Sequence, residues 1–250
     1  MTGYESRLAR AEYLATKHPS AAPLMKFYAE LARFQAPIFE ESRARGATDP
    51  RGLVRYFQPL IELIARTGTK LLVNFAVENL RTPEAQVDLL LTSWEDRGTL
   101  EPPGRFYVRV LLQPFAEYLA SRGDIQSNGA EHPACPFCNA RPVAGVLRGE
   151  GEGAKRWLLC SLCSTEWQFR RVLCPSCGEE NKDMLPIYTA PEFPTARVEA
   201  CDTCHTYLKS IDLTKDGLAI PIVDELAAVA LDIWAEERGY SKVEANLLGT

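Results

Sequence analysis

Cys135-Pro136-Phe137-Cys138, Cys160-Ser161-Leu162-Cys163, Cys174-Pro175-Ser176-Cys177 and Cys201-Asp202-Thr203-Cys204 contain all eight cysteines of the 250-residue chain. The reading of residues 135 to 204 therefore decides the fold. Two residues between cysteines let one tight turn aim both sulfurs at a single ion, and two such turns complete a tetrahedral S4 shell. Eight thiolates predict two closed metal sites, with no cysteine left over.

Cys135 and Cys174 are 39 residues apart and Cys160 and Cys201 are 41 apart, so one unit of about 40 residues is used twice. Serial pairing follows most simply: Cys135, Cys138, Cys160 and Cys163 hold one ion, and Cys174, Cys177, Cys201 and Cys204 the other. A cross-braced arrangement, first pair with third, stays open, because ligand spacing alone does not exclude it.

Each unit reads as a zinc-ribbon-like hairpin with a third strand. In the first, Pro142 to Arg148 and Lys155 to Leu159 flank a turn over Gly149 to Gly153, and Glu166 to Val172 follows. In the second, Met184 to Tyr188 and Ala196 to Glu199 precede Thr206 to Ile211. Gly178 after Cys177 and Asn139 after Cys138 suit the left-handed backbone of a metal knuckle.

Other uses of the cysteines rank lower. The start of the chain, Met1-Thr2-Gly3-Tyr4-Glu5-Ser6-Arg7, has no apolar segment to direct export, so a disulfide framework is not expected and a cytoplasmic location is. Iron–sulfur cluster runs are absent, and no βαβ setting supports a thioredoxin-like dithiol. Residues 135 to 211 hold nine Lys and Arg against nine Asp and Glu, so the basic side chains Arg141, Arg148, Lys155, Arg156, Arg170, Arg171, Lys182, Arg197 and Lys209 stand ready to offset the field of bound thiolates, or simply face solvent. Spacing does not choose the ion: zinc is the chemical default for S4, whereas iron in the same shell is redox-active.

Residues 1 to 125 lack cysteine and read as helices. Tyr4, Leu8, Ala11 and Ala15 mark the first, ended by Pro19; Leu24 to Ile38 the second, with a kink near Pro37 and an end at Gly46 and Pro50. A third and a fourth carry Leu60 to Ile64 and Leu72 to Leu80, separated by Gly68. Thr82 and Pro83 open a fifth that Gly98 and Pro102-Pro103 end. A sixth, Arg105 to Ser121, shows Val108, Leu111, Leu112, Phe115 and Leu119 on one face, bends at Pro114 and ends at Gly123. After the ribbons, Asp224 to Arg238 is expected as one helix with Leu226, Val229, Ala230, Ile233 and Trp234 inward and Asp232, Glu236 and Glu237 in solvent.

The fold class is thus α+β, with boundaries at 1–125 (helical), 126–173 and 174–222 (two metal modules) and 223–250 (C-terminal helix and tail). Ribbons this small bury little apolar surface, so each ion must supply folding energy. A net charge of -5 gives no broad attraction to nucleic acid, and no apolar run reaches the ~18 residues of a membrane span. His18, His132 and His205 fit no catalytic triad or hydrolytic zinc site, so no enzyme is expected.

Trp157-Leu158-Leu159-Cys160-Ser161-Leu162-Cys163, Glu166-Trp167, Cys201-Asp202-Thr203-Cys204 with Tyr207-Leu208-Lys209, and Asp224-Glu225-Leu226-Ala227 with Leu231-Asp232 resemble the formate dehydrogenase accessory protein family, FdhE. The resemblance covers the C-terminal half. It implies two rubredoxin-like metal modules behind a helical domain, iron as the favoured ion, and the same eight cysteines as ligands. It also implies a cytoplasmic assembly factor that binds the catalytic subunit of respiratory formate dehydrogenase. Two other readings are an electron carrier or thiol-redox protein, and a nucleic-acid-binding ribbon suggested by Arg170, Arg171, Trp157 and Trp167. Oligomeric state is not legible.

Overall fold

The computed structural model describes residues 3–95, 100–123, 131–151 and 153–250. Gly98, Glu152 and much of the stretch between Gly123 and Ala134 lie outside the described residues, and with them the reading of Gly98 as a helix terminator.

Among the described residues, six α-helices precede the cysteines: α1 (Gly3–Lys17), α2 (Ala22–Arg45), α3 (Phe57–Thr67), α4 (Lys70–Asn79), α5 (Pro83–Glu95) and α6 (Pro102–Ser121). Their ends follow the sequence signals. Gly46 takes φ 61° and closes α2, with its N–H on the carbonyls of Arg43 and Ser42. Thr69 Oγ1 accepts from the Leu72 N–H at 3.4 Å, and Thr82 Oγ1 from Ala85 at 3.3 Å.

The sixth helix departs from its expected one-sided burial: Phe106 through Tyr118 is buried on every side. It is the central post of the molecule. On one side Gln35 of α2 reaches its Val110 carbonyl, Tyr107 donates to the Leu72 carbonyl of α4 at 3.1 Å, and Trp94 of α5 meets Phe115 edge-on. On the other, Arg109 and Glu117 reach the cysteine-bearing region.

That region forms one seven-stranded sheet in the order β3-β2-β1-β6-β5-β4, with β7 beside β6. The strands are β1 (Pro142–Glu150), β2 (Gly153–Cys160), β3 (Glu166–Gln168), β4 (Ile187–Thr189), β5 (Ala196–Cys201), β6 (Thr206–Asp212) and β7 (Ser241–Lys242). The two repeat units merge through parallel pairing of β1 with β6, Gly145 opposite Ser210. A Cβ at Gly145 would run into Ser210 Oγ and crowd Ser210 Cβ, so a larger residue at this seam would have to displace the serine side chain.

Two strands are shorter than the periodicity predicts. Glu166–Gln168 stops early because the Arg156 guanidinium takes the carbonyls of Arg170 and Leu173 at 3.2 and 3.1 Å and turns the chain toward Cys174. Lys182–Met184 is a single 3-10 turn capped by Asn181, and the strand begins only at Ile187, after Pro186, which lacks the N–H a ladder needs.

The C-terminal helix is a correction. It is two helices, α7 (Pro221–Ala227) and α8 (Val229–Glu236), broken at Ala228. Lys209 Nζ donates to the carbonyls of Glu225 (2.6 Å) and Ala228 (3.3 Å), holding the break open from beneath. The break rotates α8: Ile233, expected inside, is 54% exposed, and Asp232, expected in solvent, is 2% exposed. Asp232 meets Lys209 Nζ at 2.5 Å, and Glu225 meets Lys209 at 2.9 Å and also Lys242. Burying four charges is tolerable only because they pair with one another.

Candidate metal centres

The structure resolves the pairing in favour of the serial arrangement. The sulfurs of Cys135, Cys138, Cys160 and Cys163 lie within 4.8 Å of one another, as do those of Cys174, Cys177, Cys201 and Cys204. Cys135 and Cys163 are 3.5 Å apart, Cys138 and Cys160 3.3 Å, Cys174 and Cys204 3.7 Å, and Cys177 and Cys201 3.7 Å. Four sulfurs at about 2.3 Å from a tetrahedral ion stand about 3.8 Å apart, so both groups have the size of an S4 shell. Each could hold one ion.

Each knuckle is built the same way. The residue after its second cysteine is left-handed: Asn139 (φ 58°), Ser164 (φ 54°), Gly178 (φ 77°) and His205 (φ 53°). This bend lets the backbone close on itself, with Cys135 N–H on the Ala140 carbonyl and Cys174 N–H on the Glu179 carbonyl, both at 2.9 Å. Asn139 and Gly178 were legible from residue type. Ser164 and His205 were not, yet the repeat carries a signal: Cys163-Ser164-Thr165 and Cys204-His205-Thr206 share one pattern, and each threonine Oγ1 lies 3.1 Å from its cysteine sulfur. His205 is exposed and its ring faces Tyr240, centroids 6.2 Å apart, so its part in the site is conformational.

The sulfurs are also polarised by backbone. Leu162 and Cys163 N–H groups both point at Cys160 Sγ at 3.4 Å, and Ser176 N–H at Cys174 Sγ at 3.4 Å. Burial, followed by the adjoining sulfurs, pushes the Cys160 thiol well above its ordinary range. Four ionised thiols at this spacing require a cation between them. Six of the nine basic side chains are not the compensation: Arg148, Lys155, Arg156, Arg170, Arg197 and Lys209 are each within 2.9 Å of a carboxylate.

The two centres differ in exposure. All four cysteines of the first are buried, whereas in the second Cys177 is exposed and Cys204 half-buried. The first is also tied into the helices: Ser164 Oγ donates to Glu117 of α6 at 2.6 Å, and Arg109 of α6 donates to the Ser161 carbonyl at 3.1 Å. Glu117 is held in turn by Tyr4 and Arg7 of α1, both at 2.8 Å.

Residues 134–171 match the family model of the FdhE central domain, and residues 172–248 that of the FdhE C-terminal domain. A "Protein FdhE homolog" of Aquifex aeolicus is 33% identical over 198 residues, 78% of this chain and 70% of that one. The chain belongs to the FdhE family. A homologue from Pseudomonas putida is 39% identical over 122 residues, 46% of this chain and 37% of that protein, so this alignment spans well under half of that relative. The crystal structure of the FdhE protein from Pseudomonas aeruginosa superposes with a TM-score of 0.70 at 26% identity, covering 99% of this chain and 95% of that one. The FdhE likeness thus extends through the helical half, where the sequence offered only general character.

Proposed function

We propose that this FdhE chain is a non-catalytic accessory factor that binds the catalytic subunit of respiratory formate dehydrogenase in the cytoplasm during its maturation. Family membership and the two S4 groups together are the observation that supports this reading. Cys135, Cys138, Cys160 and Cys163 would hold one metal ion and Cys174, Cys177, Cys201 and Cys204 a second, within modules bounded near residues 126–173 and 174–222, behind a helical domain over 1–125 and before a C-terminal segment over 223–250. Bound metal supplies folding energy, and iron would add one-electron chemistry. Iron is favoured by the family resemblance, with zinc as the alternative.

Among the described residues no helix is long and apolar enough to cross a membrane. Two of the four residues that hint at nucleic acid are otherwise engaged: Arg170 pairs with Glu131 and Glu180, and Trp167 is buried and donates to the His132 carbonyl at 2.9 Å. The exposed Cys177 edge favours electron carriage as a second reading.

Anaerobic purification from cells that make formate dehydrogenase tests both. Recovery of the catalytic subunit with the chain, lost when Cys135 and Cys138 are replaced by alanine while a circular-dichroism spectrum stays native, supports the assembly role. Unchanged recovery removes the first centre from that contact, and no recovery with the unaltered chain sinks the role. A colourless sample with two zinc ions excludes electron carriage.

A further inference from the structure

A cavity of about 330 Å³ opens between the end of α5, one side of α6 and the two knuckles of the first centre. Its walls include Arg105, Arg109, Arg141, the knuckle residues Asn139 and Ser161, and Glu244 from the C-terminal tail. Among the described residues of its wall, three arginines face one glutamate.

The buried arginines of the molecule set the standard. Arg7 meets Glu117 at 2.8 Å, Arg10 meets Asp224 at 2.5 Å and Arg156 meets Glu199 at 2.8 Å. Arg109, with a side chain only 9% exposed, reaches its carboxylate, Glu244, at 3.5 Å. Its other partners are carbonyls: Ala245 at 2.8 Å, Ser161 at 3.1 Å and Asn246 at 3.4 Å. Carbonyl dipoles fix the guanidinium in place without neutralising it. Arg105 beside it is bonded to the Leu100 carbonyl at 3.1 Å and Arg141 to Ser176 Oγ at 3.2 Å, and neither meets a carboxylate among the described residues. Among the described residues, three guanidinium groups thus share one loosely placed carboxylate of the cavity wall, in a cavity partly lined by Leu100, Ala140 and Leu162. Guanidinium groups of this kind recognise carboxylate and phosphate oxygens.

We propose that this cavity is a binding site for a small oxyanion, a carboxylate or a phosphate, gripped by Arg105 and Arg141 over the buried charge of Arg109. The bound anion would bridge α6 to both knuckles of the first centre, and Glu244 would act against it as a competing acid. The inference stands apart from the assembly role, since it concerns binding to the isolated full chain.

Isothermal titration of the full, metal-loaded chain with inorganic phosphate and, separately, with citrate at fixed ionic strength tests it, since fixed screening removes a bulk salt effect. At least one anion is expected to bind with a dissociation constant below about 10 mM, and the stronger of the two identifies the class. Arg105→Gln and Arg141→Gln are each expected to weaken binding about fivefold or more, and Glu244→Gln to strengthen it several-fold. Arg109 is left intact because its carbonyl bonds hold the fold. Absence of binding by both anions overturns the site, as does binding that neither arginine substitution changes.

Discussion

The side-chain amide of Gln35 on α2 donates to the carbonyl of Val110 on α6 at 3.0 Å. Val110 lies four residues before Pro114, which has no N–H to give it, so a neighbouring helix satisfies the carbonyl that the proline leaves open. The Gln35 side chain is wholly buried, so Gln35→Leu leaves a buried acceptor bare and is expected to cost about 1–3 kcal/mol. The same substitution in a P114A background, where the helical donor is restored, should cost less. Urea denaturation of the four proteins measures the coupling, and equal costs in both backgrounds would show that the bond to Val110 contributes nothing and that packing and the amide's second bond, to Gln113 Oε1 at 3.1 Å, carry the cost.

His205 holds φ 53° in an exposed turn beside Cys204. A non-glycine residue there carries a conformational cost of about 1–2 kcal/mol, so His205→Gly should leave the second centre intact or raise its stability slightly. His205→Val adds a branched Cβ in the same conformation and is expected to weaken metal retention. Cobalt titration of each variant, followed by thiolate charge-transfer absorption, reads the site directly. Equal loss in the glycine and valine variants would assign the histidine ring a role of its own.

Acid should attack the buried cluster beneath α7 and α8. Burial pushes the Glu225 carboxyl upward, but the ammonium groups of Lys209 and Lys242 overcome it and hold the value down to about 2, against an ordinary 4.5. Glu199 is likewise held low by Arg156 and Arg197 despite its burial. A carboxyl depressed in the folded state contributes stability that is full above its unfolded value and is lost as pH falls toward the folded one. The Glu225 contribution is on the order of 3 kcal/mol and disappears between about pH 4.5 and pH 2. Stability measured by urea midpoint should fall across that window, and Glu225→Gln should be less stable at pH 7 with a shallower acid slope. An unchanged slope would place the acid-sensitive group elsewhere.

The grouping of the cysteines into two sets of four was legible because Cys-x-x-Cys spacing is set within four residues, where turn geometry leaves little freedom. Helix ends marked by Gly46, Gly68 and Thr82 were legible for the same reason, whereas the Thr69 cap emerged only from the structure. The break at Ala228 was not: it depends on Lys209, 19 residues earlier, whose ammonium sits under the helix and draws Asp232 inward. Nor could local pattern show that Gly145 and Ser210 close the two units into one sheet. Periodicity placed α6 on a single apolar face because Arg109, Gln113 and Glu117 look solvent-facing until partners from α1, α2 and the knuckles surround them.

Unequal exposure of the two sulfur groups predicts an order of metal loss. The first group is buried and bound to α6 through Ser164 and Arg109, whereas the second presents Cys177 to solvent. A chelator should therefore draw metal in two phases of one equivalent each, the faster from Cys174, Cys177, Cys201 and Cys204. Cys177→Ser should abolish only the fast phase. Because S4 ions contribute on the order of 10 kcal/mol to small modules, loss of the second should melt the β4–β5 hairpin while β1 and β2, packed toward the helices, persist. Hydrogen exchange followed alongside metal release distinguishes the two steps. Simultaneous release of both ions, with both hairpins opening together, would mean that the shared sheet makes the two centres one cooperative unit.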